Sequence, residues 1–306
     1  MSGAGRVLRV LTGCTAAGKS EWALRWAEAN GAEIISCDSL LFYRGMDIGT
    51  AKPSAAEMAR VRHHLVDIRR VSEPMNAALY APMALAAAED IRARGRAVLV
   101  VGGSGFYLRS FLGPVADGVE VPAHVRARVE ALMGEGLASA VAELARLNPG
   151  GLGGIDAANP RRVAGALGRC LASGLTLAEL SERFSRVAPP FAGWSVRLAR
   201  IDRPRADLEV RVARRVDSML RAGLVEEVRR LLGEGLRSNP SAARAIGYRE
   251  TIDVLDGKAP PEGLASAIEA DTRALIKKQG TWFRTQLPPH PVVDAAAPLP
   301  EGDPFS

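Results

Sequence analysis

The chain has 306 residues, of which 47% are hydrophobic and 24% are charged, and this composition predicts a folded globular protein with one large domain or two of ordinary size. No apolar run approaches the roughly 18 residues of a membrane-spanning helix, and no signal sequence precedes the first predicted strand, so we expect a cytoplasmic protein that does not use a membrane. The net charge of +6 permits nucleic-acid binding without establishing it, and three cysteines cannot form a paired disulfide framework.

The first half of the chain alternates short apolar segments with helical patterns. Strands are predicted at residues 6–11, 32–36 and 97–101, a helix over 76–94, and a further strand at 195–201. Strands separated by helices are typical of a parallel sheet that is covered on both faces. We therefore predict an α/β fold in which a parallel sheet is flanked by helices.

The middle of the chain differs, because its apolar residues recur only at helical spacing. We predict an all-helical insertion at 114–191, which divides the α/β core into residues 1–113 and 192–306. Helical spacing returns after the insertion, and the last helix is predicted at 262–286. The tail from Pro288 is rich in Pro, Ala and acidic residues, and we expect it to be frayed.

A glycine-rich loop follows the first predicted strand and matches GxxxxGK[ST] without a mismatch; its residues are Gly13, Cys14, Thr15, Ala16, Ala17, Gly18, Lys19 and Ser20. Such a loop turns backbone N–H groups toward phosphate oxygens at a helix N-terminus. Lys19 can neutralise a phosphate, and the Ser20 hydroxyl can bind Mg²⁺. The loop predicts a diphosphate or nucleotide ligand and does not identify a triphosphate. Asp38 is the nearest acidic candidate, since it follows the second strand.

Further blocks of sequence carry a specific resemblance. Together with the loop, residues 33–53 (EIISCDSLLFYRGMDIGTAKP) strongly resemble the tRNA dimethylallyltransferase (tRNA isopentenyltransferase) family. Other blocks match in the family's order, namely His63-His64-Leu65, VGGSGFY at 101–107, NPRRV at 159–163, RAIGYRE at 244–250 and TRALIKKQGTWFR at 272–284. The zinc-finger extension of eukaryotic members is absent, so the chain resembles the bacterial form.

The resemblance implies an activity and its partners. The family transfers a dimethylallyl group from dimethylallyl diphosphate to N6 of the adenosine on the 3′ side of the tRNA anticodon, releasing pyrophosphate. Residues 13–20 would bind the diphosphate, Ser20 would bind Mg²⁺, and Lys19, Asp38 and Ser104 would be catalytic, with Asp38 as general base. We expect a monomer whose partners are the tRNA anticodon stem-loop and the prenyl donor.

The resemblance also implies which residues contact tRNA, and most of them mix cations with polar or aromatic groups. They are Asp38, Ser39, Leu40, Leu41, Ser104, Arg126, Arg161, Arg162, Val163, Arg244, Gly247, Tyr248, Arg249, Lys277, Lys278, Gln279, Trp282 and Arg284. Cations beside an aromatic suit RNA, because phosphate contacts are then combined with base stacking. Some positions depart from the family pattern: Cys14 stands where Pro is usual, Ser104 where Thr is usual, and Leu41 where many members carry Gln.

Each of these residues also has a purely structural interpretation. Any one basic cluster alone can be a solvated helix face, and Asp38 can be a local cap or an outer ligand of a metal. Ser104 lies between glycines and can stabilise a turn through its hydroxyl. For the adjacent pair His63 and His64, local hydrogen bonding is expected rather than catalysis or metal binding.

One other activity fits the glycine-rich loop. A small-molecule or nucleotide kinase would use the same loop with ATP, but it leaves the NPRRV, RAIGYRE and KKQGTW blocks unexplained. Arg211 and Arg215 are one helical turn apart and can either reach the diphosphate or belong to a plain surface helix. An RNA-binding protein without catalysis is disfavoured by the presence of Lys19, Ser20 and Asp38 together.

Overall fold

The sheet contains six strands in the computed structural model, which describes residues 5–300 and 302–305. The strands are β1 (Val7–Gly13), β2 (Ala32–Ser36), β3 (His63–His64), β4 (Ala97–Val101), β5 (Ser195–Asp202) and β6 (Val292–Asp294). The four predicted strands are confirmed within one or two residues at each end. The two short edge strands, β3 and β6, were not predicted.

Helices connect and cover these strands. They are α1 (Lys19–Ala29), α2 (Ala55–Arg60), α3 (Ala77–Ala93), α4 (Gly105–Leu112), α5 (Ala123–Glu135), α6 (Leu137–Leu147), α7 (Pro160–Ser173), α8 (Leu177–Ser185), α9 (Arg205–Arg221), α10 (Leu224–Gly233), α11 (Pro240–Ala243), α12 (Tyr248–Leu255) and α13 (Leu264–Gln286). Short 3₁₀ turns lie at Leu236–Ser238 and Pro261–Gly263.

The strand order across the sheet is β3-β2-β4-β1-β5-β6, and every neighbouring pair is parallel. Strand β4 is apolar along its whole length, as expected for a strand whose two faces are covered by helices. Leu8 and Leu11 of β1 and Leu99 of β4 are fully buried. The predicted parallel α/β fold is confirmed. Since all strands run in one direction, the segments that follow β1, β2 and β4 leave the sheet at the same edge.

The described residues of the C-terminal tail pack on the core, so the prediction that this part frays is wrong. Val292–Asp294 pairs with the end of β5 as an edge strand. Further on, the Phe305 ring is buried, with its centroid 5.2 Å from that of Trp26. Asp303 forms an ion pair with Arg9 at 2.8 Å. Composition suggested a loose tail, but one aromatic ring and one carboxylate attach it to the core.

The histidine pair makes local hydrogen bonds, as expected. His63 Nδ1 lies 2.7 Å from the carbonyl oxygen of Val61. His64 Nε2 lies 2.7 Å from a carboxylate oxygen of Glu33 on the neighbouring strand. Both contacts support the edge strand β3, and neither His63 nor His64 lines the two cavities described below.

The chain forms two compact units: residues 1–112 together with 190–306, and residues 113–189. The predicted limits differ from these by one or two residues. Among the described residues, no single helix is long and apolar enough to cross a membrane; α7 and α8 reach that length only as a pair, which is bent by 86°.

The smaller unit is entirely helical over its described elements, α5 to α8. Its core is built from apolar side chains at helical spacing, such as Val129, Leu144 and Leu167. Asn159 begins α7, and its side-chain oxygen accepts hydrogen bonds from the backbone N–H groups of Arg161 and Arg162.

Candidate active site

The carboxyl edge of the sheet brings together three segments that the sequence had singled out. Cys37 N donates to Val101 O at 2.8 Å, and Gly102 N donates to Leu11 O at 3.2 Å. A Cβ atom at Gly102 would lie 2.1 Å from the carbonyl oxygen of Cys37, so only glycine fits there. The glycine-rich loop, Asp38 and Ser104 therefore leave the sheet side by side.

The glycine-rich loop wraps the N-terminus of α1. Gly18 precedes the helix with a left-handed φ of 96°, and Ala16 has a φ of 64°, which is unusual for a residue with a side chain. Lys19 Nζ donates to the carbonyl oxygen of Cys14 at 2.7 Å. Such strained backbone persists where its surroundings hold it in place.

Two arginines of the second half of the chain hold the outer side of this loop. Arg203 Nε donates to Ala17 O and Arg211 Nε donates to Ala16 O, each at 2.7 Å. In a trans peptide the carbonyl and the following N–H point in opposite directions. Holding Ala17 O therefore turns the Gly18 N–H away from Arg203. Arg203 was not identified from the sequence. Arg211, which was considered as a possible contact of the diphosphate, instead contacts the backbone of the glycine-rich loop.

Gln279 of α13 connects the loop with the segment after β4. Its Oε1 accepts from Thr15 N at 2.9 Å, and its Nε2 donates to Gly103 O at 2.9 Å. The amide thus fixes the spacing between the glycine-rich loop and Ser104. The sequence had marked Gln279 only as a tRNA-contacting residue, because its partners are distant along the chain.

The charge of Asp38 acts on the buried Lys19 ammonium. Burial lowers the pKa of Lys19 to about 8, while the negative charge of Asp38 acts in the opposite direction. Asp38 Oδ1 accepts from the backbone N–H of Leu40 at 3.0 Å, which orients the carboxylate. An anionic ligand bound beside Lys19 would favour the protonated, positively charged form of this lysine.

A first cavity of about 640 Å³ opens beside these groups. Eight of the residues predicted to contact tRNA line it, namely Asp38, Ser39, Leu40, Ser104, Arg244, Lys278, Gln279 and Trp282. Thr15 of the glycine-rich loop also lines it, whereas Leu41 does not. The Ser104 hydroxyl forms no hydrogen bond with any described residue, so the turn-stabilising interpretation has no contact to support it.

A second cavity of about 610 Å³ lies on the other side of α13, beside Cys14. Helical spacing explains the division: Lys278, Gln279 and Trp282 face the first cavity, whereas Lys277 and Arg284 face the second with Thr281 between them. Arg203 and Ile276 also line the second cavity. One helix therefore separates two openings on either side of the glycine-rich loop.

The block at 244–250 supports the site in a different way from the one predicted. Arg244 lines the first cavity, but Tyr248 is fully buried and its hydroxyl donates to Glu227 at 2.6 Å. Arg249 forms ion pairs with Glu250 and Asp271. Gly247 N donates to a Glu250 carboxylate oxygen. The expected side-chain contact with tRNA at Tyr248 is corrected here, because the ring lies inside the protein.

Glu227 is a functional residue that the sequence did not reveal. Its carboxylate is buried and accepts hydrogen bonds from the backbone N–H groups of Asp47, Ile48 and Gly49, besides that of the Tyr248 hydroxyl. A Cβ at Gly49 would lie 2.5 Å from the Tyr248 ring. Because Gly49 and Thr50 line the first cavity, this carboxylate fixes one of its walls.

Arg215, the weak candidate for the diphosphate, also lines that cavity, and its guanidinium donates to Thr50 O at 3.2 Å.

The remaining predicted residues belong to the smaller unit. Arg161 and Arg162 are exposed at the first turn of α7, and Arg126 is exposed on α5, where it donates to Val121 O at 2.6 Å. Val163 is fully buried in the core of this unit. A side-chain contact with tRNA at Val163 is therefore corrected as well, whereas the three arginines stay predicted contacts.

A family model and curated relatives of the chain point to one enzyme family. A family model described as IPP transferase matches residues 41–286. The chain is 65% identical over 289 residues to a tRNA dimethylallyltransferase of Opitutus terrae, covering 94% of the chain and 93% of that protein.

Solved structures share the fold of the chain. The full-length tRNA isopentenylpyrophosphate transferase of Bacillus halodurans is 31% identical, with a TM-score of 0.68 over 95% of this chain and 90% of that one. A eukaryotic dimethylallyltransferase acting on tRNA, 23% identical, shares the fold with a TM-score of 0.76 over 91% of this chain and 70% of that one.

Proposed function

The chain belongs to the IPP transferase family, and from this premise we propose that it transfers a dimethylallyl group from dimethylallyl diphosphate to N6 of the adenosine on the 3′ side of a tRNA anticodon. One observation carries the proposal: the glycine-rich loop, Asp38 and Ser104 border a single cavity. Its volume of about 640 Å³ is within the usual range for a ligand site.

The glycine-rich loop holds the leaving group. Its inward N–H groups, the N-terminus of α1 and Lys19 bind the diphosphate of the donor and stabilise the charge that grows on it. Arg203 and Arg211 do not need to move for this, since they already hold the loop carbonyls from outside. The preorganised loop stabilises the transition state without reorganising during the reaction.

Asp38 takes the proton from the acceptor. N6 of adenosine attacks C1 of the donor, the C1–O bond breaks, and its electron pair leaves with pyrophosphate. N6 loses one proton to the Asp38 carboxylate, which hydrogen bonding to Leu40 N already orients. Ser104, whose hydroxyl has no described protein partner, is placed to hydrogen-bond the substrate in the same cavity.

The cations around the first cavity fit an RNA acceptor. Arg244 and Lys278 line it and are exposed, so phosphates that flank the acceptor adenosine can reach them. The base itself must leave the loop stack, which costs a few kcal/mol at most for an unpaired nucleotide. In the smaller unit, Arg126, Arg161 and Arg162 supply further exposed charge for the backbone of the stem.

The two cavities suit the two substrates. The first contains Asp38 and receives the base, whereas the second borders Cys14 of the glycine-rich loop and gives the prenyl donor its own route to the loop. Leu208 and Ile276 provide apolar surface for the hydrocarbon part, and Arg284 attracts the diphosphate.

Magnesium is the proposed metal. The Ser20 hydroxyl is exposed at the start of α1, next to Lys19, and Mg²⁺ typically combines few protein ligands with phosphate oxygens and water. No cluster of three acidic, histidine or cysteine side chains able to hold a metal occurs among the described residues, which fits a metal that arrives with the diphosphate. When bound, Mg²⁺ supplies additional positive charge for the leaving pyrophosphate.

We place this activity in the cytoplasm and assign it to a monomer. The catalytic candidates all come from the larger unit of this chain.

The test is product analysis. The protein, Mg²⁺, dimethylallyl diphosphate and an unmodified anticodon stem-loop are incubated, and the nucleosides are examined by mass spectrometry while pyrophosphate is counted. We expect one N6-dimethylallyl adenosine per pyrophosphate, and none from a matched stem-loop with inosine at that position. Absence of prenylated product, together with phosphoryl transfer from ATP to a small acceptor, would instead establish the kinase.

A further inference from the structure

Phe106 is an exposed aromatic residue at the first cavity. It follows Ser104 by two residues in the first turn of α4, and 62% of its surface is accessible, the highest value among the large exposed hydrophobic side chains described. The next residue, Tyr107, is buried among the rings of Phe42 and Tyr80. The helix therefore anchors itself through one face and presents Phe106 on another.

The surroundings of Phe106 are suited to an unpaired nucleotide. Arg109, three residues further along α4, is exposed, lines the same cavity and makes no ion pair or hydrogen bond with the described part of the chain. Residues three apart lie on one helix face. Trp282 lines the cavity from α13, and its ring packs so closely on Gly105 that a Cβ there would lie 2.5 Å away. Two aromatic rings and a free cation thus border one opening.

An exposed phenylalanine remains in contact with water unless a ligand covers it. Any apolar side chain could contact an aliphatic ligand. A flat aromatic ring beside a free guanidinium is suited to a nucleotide, because the ring can stack on the base while the cation binds the phosphate. Arg244 and Lys278 on the same cavity make the partner an anion, which disfavours an apolar protein surface.

We propose that Phe106 stacks on a nucleobase adjacent to the acceptor adenosine, while Arg109 contacts the phosphate between them. The proposal rests on the proposed function, because it assumes an RNA acceptor in the first cavity. When the acceptor base leaves the loop stack, its neighbour loses a stacking partner. The Phe106 ring replaces that partner and makes the extruded arrangement more favourable.

The expected effect is a change in RNA binding. Alanine replacement of a ring that stacks on one base weakens binding by about 5- to 150-fold. Phe106→Ala should raise KM for the stem-loop within this range, leave KM for dimethylallyl diphosphate unchanged, and alter kcat less than KM. Phe106→Tyr should restore the wild-type KM, whereas Phe106→Leu should not, because an aliphatic chain has no flat face.

The experiment combines kinetics with a reporter base. A stem-loop with 2-aminopurine beside the acceptor adenosine is titrated with wild type and with the three Phe106 variants, and stacking is read from the quenching of its fluorescence. Val292→Ala is the matched control, since Val292 is 55% exposed and lines neither cavity. Circular dichroism of each variant checks the fold.

The possible outcomes separate the two proposals. Loss of quenching and a raised KM in Phe106→Ala, with rescue only by Phe106→Tyr, support stacking. Wild-type KM in Phe106→Ala, or full activity of Phe106→Leu, overturns the stacking proposal while the prenyl transfer of the wild type stands. If the wild type forms no prenylated RNA at all, the proposed function itself is contradicted, and the stacking proposal that rests on it is contradicted as well.

Discussion

Replacing Tyr248 with phenylalanine tests whether the buried Glu227 carboxylate holds the wall of the first cavity. The Tyr248 hydroxyl donates to Glu227 at 2.6 Å, and neither side chain is substantially exposed. Tyr248→Phe removes this hydrogen bond without creating a large cavity, and Glu227 keeps its three backbone donors from residues 47–49. The fold should therefore survive while the wall loosens.

The size of the effect follows from the type of bond. A hydrogen bond to a charged group contributes about 1.5–3 kcal/mol to the free energy of unfolding. At about 2–4 °C per kcal/mol for a domain of this size, Tm should fall by about 3–12 °C. Because Gly49 and Thr50 line the first cavity, KM for the tRNA stem-loop should rise, whereas KM for the prenyl donor should not.

Tyr107→Phe is the matched control for this prediction. Tyr107 is also a buried ring, but its hydroxyl makes no hydrogen bond with any described residue. We expect the Tm of the Tyr107→Phe variant to differ from that of the wild type by less than about 2 °C. Calorimetric melting of both variants decides the matter: equal Tm values for the two substitutions would refute the assigned role of Glu227 and Tyr248.

Three further predictions concern the carboxyl edge of the sheet and the cysteines. Because burial lowers the pKa of Lys19 to about 8, the free protein loses this charge as pH rises through that value; the Ki of pyrophosphate should rise between pH 8 and 9.5, and Lys19→Arg, measured alongside, corrects for titration of the ligand. Gly102→Ala should destabilise the protein by several kcal/mol in denaturant unfolding, since its Cβ meets the Cys37 carbonyl, whereas Gly165→Ala in the open face of α7 should stabilise it by about 0.5–1 kcal/mol. Burial raises the pKa of all three thiols, and Cys37 and Cys170 line neither cavity, so Ellman's reagent should count these two only after denaturation; their rapid reaction in the folded protein would contradict the assigned environments.

Local patterns predicted the central part of the fold well. The short segments that form β1, β2, β4 and β5 are rich in apolar residues because helices surround the strands, and such segments can be recognised from the sequence. The edge strands β3 and β6 escaped detection because two or three residues carry too little pattern. The C-terminal tail was misjudged for a related reason, since its attachment depends on Phe305 and Asp303, whose partners lie near the other end of the chain.

The candidate site was predicted in its centre and less well in its supports. The motif located residues 13–20 and Asp38, because their chemistry depends on residues that are close along the chain. The supporting contacts of Arg203, Gln279 and Glu227 join segments up to 264 residues apart, and no spacing rule reveals them. Tyr248 shows the limit most clearly: the sequence marked an important residue but could not tell burial from contact with a ligand.

The most direct test of the account is the rate of prenyl transfer in a single turnover with Asp38→Asn. Enzyme is held in excess over a labelled stem-loop at saturating dimethylallyl diphosphate, and the N6-dimethylallyl adenosine formed is followed with time. Asp217→Asn, at an exposed carboxylate that lines neither cavity, is the control. The account predicts a transfer rate at least about 100-fold lower in Asp38→Asn, as expected for the loss of a general base, and a wild-type rate in the control. A wild-type transfer rate in Asp38→Asn would contradict the central claim that this carboxylate, facing the glycine-rich loop across one cavity, drives the reaction.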